Sequence, residues 1–143
     1  MRIALLVTCV ALAGAPAASG TASSVRGSGV VNGDNHHAGA FKSGRFALRV
    51  SGRSGWIRYT NRTQRLVFAS RRIRLFRDES ATARTVVVAG VGRLNGSRVR
   101  FYVRCIDAGG PLDDVFYINF RDLDGFWLSE AGGRIWSGTV VIR

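Results

Sequence analysis

From Phe46 onward, apolar residues recur at every second position, the spacing that sends alternate side chains to opposite faces of a β-strand. Phe46, Leu48 and Val50 fall on one face, Ala47 and Arg49 on the other. Ile57 and Tyr59 oppose Trp56 and Arg58 in the same way. Residues 66–69 and 73–76 are two short apolar pieces flanking Arg71-Arg72. Residues 85–91 are nearly continuous and β-branched, which predicts a buried central strand. Asn95-Gly96 then supplies two residues that tolerate positive φ, the requirement of a tight primed hairpin turn. Beyond it Val99, Phe101, Val103 and Cys105 alternate with Arg98, Arg100, Tyr102 and Arg104. A slip of one residue would bury the three arginines, so the face of this strand is fixed. Residues 115–120, 126–128 and 135–142 complete the set. Turn signals every 8 to 12 residues or so predict an all-β domain, a small antiparallel β-sandwich or barrel of about eight strands over residues 41–143. No window carries a 3.6-residue apolar period, and only residues 81–84 leave room for a helical turn.

The first forty residues read differently. Met1-Arg2 gives a positive start, and residues 3–15 are apolar or small without a charge. Ala15-Pro16-Ala17 and Gly20-Thr21-Ala22 both place small residues where signal peptidase requires them. The expectation is a secretory signal peptide over residues 1–22, cleaved after Ala17 or Ala22. Its apolar run is too short for a membrane span, which needs ~20 residues. Leu6-Val7-Thr8-Cys9 faintly suggests a lipobox, but Thr8 is large for that motif and the apolar run continues past Cys9. Residues 23–40, rich in Ser, Gly, Ala and Asn, predict a flexible lead-in with one short edge strand at residues 29–31.

Composition sharpens the picture. The chain has 143 residues, enough for one domain. Cys105 is the only cysteine outside the leader, so no internal disulfide staples the exported fold. The net charge is +12, and Lys42 is the only lysine among the cations. The charge is uneven: sixteen cations between Lys42 and Arg104 face only Asp78 and Glu79, whereas from Cys105 onward three arginines face six acids. An arginine-rich sheet face attracts phosphates, sulfates and carboxylates through its field and through bidentate hydrogen bonds. Arg49, Arg58, Arg98, Arg100 and Arg104 are the residues expected to form such a face. The chain lacks ribonucleoprotein strand signatures, so sequence-specific nucleic-acid binding is not expected.

Several segments together resemble the post-COAP domain of secreted bacterial proteins. The run Val88-Ala89-Gly90-Val91-Gly92-Arg93-Leu94-Asn95-Gly96 is followed by Phe101-Tyr102-Val103. Asp107-Ala108-Gly109-Gly110-Pro111-Leu112-Asp113-Asp114-Val115-Phe116-Tyr117-Ile118 comes next, and Ser137-Gly138-Thr139-Val140-Val141-Ile142-Arg143 last. These match the family's asparagine-glycine turn, its Asp-Gly-Pro loop with the strand after it, and its closing strand. Phe46-Ala47-Leu48-Arg49-Val50 and Gly55-Trp56-Ile57-Arg58-Tyr59 are similar to its opening strands. The chain departs from the pattern in slightly shorter loops, in Arg134-Ile135 before the last strand, and in arginine-rich strand faces. The resemblance implies a small all-β extracellular module and brings no catalytic residues.

Catalytic chemistry finds little support. The only histidines, His36 and His37, are adjacent in the lead-in, and no G-x-S-x-G elbow is present. Cys105 lies on the apolar face of its strand and reads as a core thiol. Asp34, His36 and His37 are residue types that bind zinc or copper, but neighbouring side chains on extended backbone diverge. Asp107, Asp113, Asp114, Asp122 and Asp124 lie in loops on either side of one strand and supply hard oxygen donors, which suit calcium if any metal. The competing reading is turn chemistry and ion pairing to arginine. Trp56, Trp127 and Trp136 read as core. The expectation is therefore an exported, non-catalytic β-module with a structural, adhesive or surface-association role and no cofactor. The alternative is an extracellular polyanion- or glycan-binding protein using the arginine face. Its expected partner is an anionic cell-surface polymer or a surface protein.

Overall fold

The computed structural model describes residues 20–34, 36–109 and 114–143. They form nine strands: β1 (Ser24–Val31), β2 (Gly44–Ser51), β3 (Ser54–Asn61), β4 (Leu66–Asp78), β5 (Arg84–Leu94), β6 (Ser97–Asp107), β7 (Val115–Arg121), β8 (Trp127–Arg134) and β9 (Ser137–Ile142). No helix occurs among the described residues, and residues 81–83 form a bend where a helical turn had room. All nine strands pair antiparallel in one sheet of order β8-β7-β6-β5-β4-β3-β2-β1-β9. The expected all-β antiparallel fold is thus present as a single curled sheet, a half-barrel.

The curl follows from the core. Phe46 on β2 stacks on Phe116 of β7 with ring centroids 4.0 Å apart, although four strands separate them in the sheet. Phe120 of β7 packs against Phe68 of β4 at 4.8 Å and Tyr59 of β3 at 6.0 Å. These contacts require the inner faces of the two halves to meet, so the sheet rolls around its own aromatic side chains. The inward set is the one the alternation predicts: Phe46, Leu48, Val50, Ile57, Tyr59, Val99, Phe101, Val103 and Cys105 are all buried. Asn95 (φ 49°) and Gly96 (φ 84°) make the primed turn between β5 and β6.

Two segments differ from expectation. Residues 24–31 are not a flexible lead-in; β1 is paired with β2 on one side and β9 on the other. Its glycines serve close packing: a Cβ on Gly27 or Gly29 would run into the carbonyl oxygens of Thr139 and Ser137 on β9. The two pieces around Arg71-Arg72 are one thirteen-residue strand, β4, whose alternation is broken by irregular pairing between Ser70 and Arg72 and between Ile73 and Leu75.

The seam of the curl is closed in two ways. The Gly132 N–H of β8 donates to the Asn32 carbonyl at 2.9 Å, and the Trp136 N–H donates to the Val30 carbonyl at 2.8 Å. Through Ile135-Trp136, β8 and β9 therefore act as one bent strand, its first part on β7 and its second on β1. Further along, the amides of β9 that point away from β1 meet carboxylates instead of a strand. Asp114 Oδ2 accepts from Val140 N–H (3.1 Å) and Thr139 Oγ1 (2.6 Å), and Asp107 Oδ2 accepts from Ile142 N–H (3.1 Å).

Candidate anion-binding face

The pairing register decides which arginines meet on the outer, convex face. Arg26 lies directly opposite Arg49, Arg93 opposite Arg98, and Arg100 opposite Arg121. Arg58 faces Ala69, which faces Arg93, so Arg58, Arg93 and Arg98 form one row across β3 to β6. A second row runs Arg72, Val91, Arg100, Arg121 and Trp127 from β4 to β8. A third places Arg77 and Arg104 on either side of Val87. Neighbouring strands are ~4.8 Å apart, so the arginines of these rows lie on one face that runs from β3 to β7. All five arginines singled out in the sequence are exposed and lie in this sheet. Arg49 stands apart on β2, around the curl, where it pairs with Arg26.

Like charges directly opposite in a sheet are destabilising. Among the described residues none of these opposed arginines makes an ion pair with an acid. The single ion pair among the described residues joins Arg77 and Glu79 at 2.5 Å, at the end of β4. The arginines hold themselves by neutral acceptors: Arg93 Nη1 donates to the Gly96 carbonyl (2.7 Å), and Arg121 Nη1 to the Gly125 carbonyl (3.2 Å). Arg58 lies over the Trp56 ring at 5.3 Å.

Between β6 and β7 this face carries a depression of about 420 Å³ lined by Arg100, Tyr102, Tyr117, Asn119 and Arg121. Tyr117 donates its hydroxyl to Glu130 Oε2 at 2.5 Å. Burial, together with that bond, pushes the phenol up to about 12. Tyr59, in the core, is raised by burial too. A phenol whose folded pKa exceeds the ordinary value of about 10 contributes stability fully below pH ~10 and loses it as pH rises toward the folded pKa. Stability is therefore expected to fall from pH ~10 through pH ~12. Phenolate absorbance in the folded protein should show Tyr117 ionising late; titration of all three tyrosines near the free value would contradict this.

Among the described residues the carboxylates do not assemble into a calcium site. Asp107, at the end of β6, and Asp114, just before β7, lie at one end of β7, and Asp122 and Asp124 lie beyond the other, separated by a seven-residue strand, on the order of 20 Å. Asp107 and Asp114 are committed to the β9 edge and to the amides of Gly109 and Ala108. Asp122 Oδ1 accepts from the amides of Asp124 and Phe126, a turn-forming role. Asp113 lies outside the described residues, as does the proposed leader up to residue 19. Among the described residues no three His, Cys, Asp or Glu side chains converge on a metal position. Asp34 is buried and accepts from the His36 amide and from Ser129 Oγ, while His37 Nδ1 pairs with Gln64 Nε2 at 2.9 Å, so these three do not converge either. Cys105 is buried, and burial pushes its thiol up, away from the nucleophilic thiolate.

The tryptophans correct the reading as core. Trp56 and Trp127 are exposed, and Trp136 is half-buried under Lys42 and Arg134. Arg72, Arg77, Arg93 and Arg121 belong to the charged rows, and Arg26 pairs with Arg49, although none of them stands out in the sequence. The only signal for them was the net charge, because register is not written in local sequence. Among the described residues no helix is long and apolar enough to cross a membrane. The class this defines is a small all-β domain with a basic convex face. Neither family models nor the curated proteins nor the solved structures gave a match to this chain.

Proposed function

We propose that the chain is an exported, non-catalytic β-module that associates with anionic surface polymer through the convex face of β4 to β7. The observation that carries this reading is the set of directly opposed arginine pairs, none of which makes an ion pair among the described residues. Their mutual repulsion is a cost to the fold, and a bound polyanion relieves it. The leader-like residues 1–22 support export. The resemblance to the post-COAP domain, whose matching segments fall on β2, β3, the β5–β6 hairpin, β7 and β9, supports a surface module of secreted bacterial proteins.

Retention on immobilised dextran sulfate tests the reading. Affinity through released counterions falls linearly with salt on logarithmic axes. Replacing Arg98, Arg100 and Arg104 together by Ser should lower that slope by about two to three and weaken all polyanions alike. The fold should survive, because these side chains face solvent. Unchanged retention of the triple variant, or no retention of the wild type at ~50 mM salt, where screening is modest, leaves the arginines as a solubility device and the module as a purely structural one.

A further inference from the structure

The second arginine row ends on an apolar tip that polymer binding does not use. Leu123 (42 %), Phe126 (71 %), Trp127 (46 %) and Leu128 (43 %) are exposed within six residues at the β7–β8 turn. Scattered exposed apolar side chains need no explanation, but a contiguous cluster marks a contact surface. The register ties this cluster to the positive face: Trp127 lies opposite Arg121, which lies opposite Arg100. The order across β8, β7 and β6 is therefore aromatic, cation, cation.

We infer that the β7–β8 tip docks on an anionic lipid bilayer, with Leu123, Phe126 and Leu128 in the acyl boundary, Trp127 at the headgroup level, and Arg121 and Arg100 on lipid phosphates. Three observations support that occupant. Apolar residues beside arginines complement a surface that is apolar below and anionic above, which neither a soluble polyanion nor a purely apolar partner is. Tryptophan favours the bilayer interface because its ring is apolar and its N–H polar.

The third observation is that the turn already satisfies much of its own backbone, which low-dielectric surroundings favour. The Asp122 N–H donates to the Phe126 carbonyl (2.9 Å), and the Gly125 N–H donates to the Asp122 carbonyl (3.2 Å). The amides of Asp124 and Phe126 donate to Asp122 Oδ1, and the Gly125 carbonyl accepts from Arg121. The same bonds hold the tip in one shape, so docking orders no loop. The turn carries two acids, Asp122, engaged by the amides of Asp124 and Phe126, and Asp124, exposed at the apex, so the positive charge offered to lipid phosphates is that of the arginine rows behind the tip as a whole.

Flotation with vesicles of phosphatidylcholine, with and without phosphatidylglycerol, tests the proposal. Wild-type protein should float with the anionic vesicles and little with the neutral ones. Combined Leu123→Ser and Phe126→Ser should weaken that partitioning about tenfold or more. The same variant should keep its wild-type retention on dextran sulfate, so a failure here is distinguishable from a failure of the polymer-binding reading. Arg100→Ser with Arg121→Ser should abolish the preference for anionic vesicles. Equal flotation of the Leu123/Phe126 variant and wild type overturns the proposal, as does absence of wild-type flotation. A concentration-dependent dimer that the Leu123/Phe126 variant abolishes, without vesicle uptake, assigns the tip to self-association and also overturns it.

Discussion

Replacing Phe101 with alanine is expected to lower the unfolding free energy by about 3–5 kcal/mol, the range for an aromatic side chain lost from a core. Phe101 is buried on β6, and its ring meets Phe68 at 5.3 Å in an edge-on arrangement. Phe68 in turn packs on Phe120, which packs on Tyr59. The chain of rings crosses the interior from β6 through β4 and β7 to β3, so the vacancy opens between the two halves of the curled sheet. Rigid walls limit its collapse, and cost rises with the cavity that remains. Urea denaturation measures the loss. A change below about 1 kcal/mol, within the scatter of surface substitutions, would show that Phe101 does not face the interior.

Asp114→Ala should rival it, at about 3–5 kcal/mol, although no apolar surface is lost. The side chain is 1 % exposed. It accepts from Val140 N–H and Ala108 N–H at 3.1 Å each and from Thr139 Oγ1 at 2.6 Å. Hydrogen bonds to a charged group contribute ~1.5–3 kcal/mol each, and removing the acceptor strands buried donors. Asp114→Asn keeps an acceptor oxygen and should lose clearly less. Amide exchange at Val140 should accelerate in the alanine variant. Protection at Val140 equal to wild type would mean that β9 does not depend on this carboxylate.

The strands that were legible in the sequence are those whose environment is local. β6 could be read completely, because Arg98, Arg100 and Arg104 alternate with buried residues and the Asn95-Gly96 turn marks its start. β4 looks like two pieces in the sequence because its irregular pairing puts Phe68 and Ile73, five residues apart, on the same buried side, which no two-residue period produces. β1 resembles flexible chain in the sequence because glycine enrichment has two physical causes, backbone freedom and close packing. Here Gly27 and Gly29 are small so that β9 can lie close, and that cause is visible only when Thr139 and Ser137 are in place.

The candidate face divides the same way. That arginines of β6 point outward follows from alternation within one strand. That Arg100 meets Arg121, or Arg93 meets Arg98, depends on hairpin registers that no single strand contains. The loop acids show the reverse error. Asp107 and Asp114 have the residue type and loop setting of cation ligands, yet the positive groups they serve are the amide dipoles of a strand that follows later in the chain.

The bent strand has a kinetic consequence. β1 to β8 each lie beside a sequence neighbour, so their contacts close short loops at small entropic cost. Among the strand pairings only that of β9 joins chain segments far apart in sequence, setting Ile142 opposite Val25. Non-local pairing of that kind is the slow, late part of assembly. Interactions made after the transition state govern the rate of escape from the native state rather than the rate of reaching it. The stability lost in Asp114→Ala should accordingly emerge as faster unfolding with nearly unchanged refolding, which makes the last strand the latch that sets the lifetime of the folded molecule.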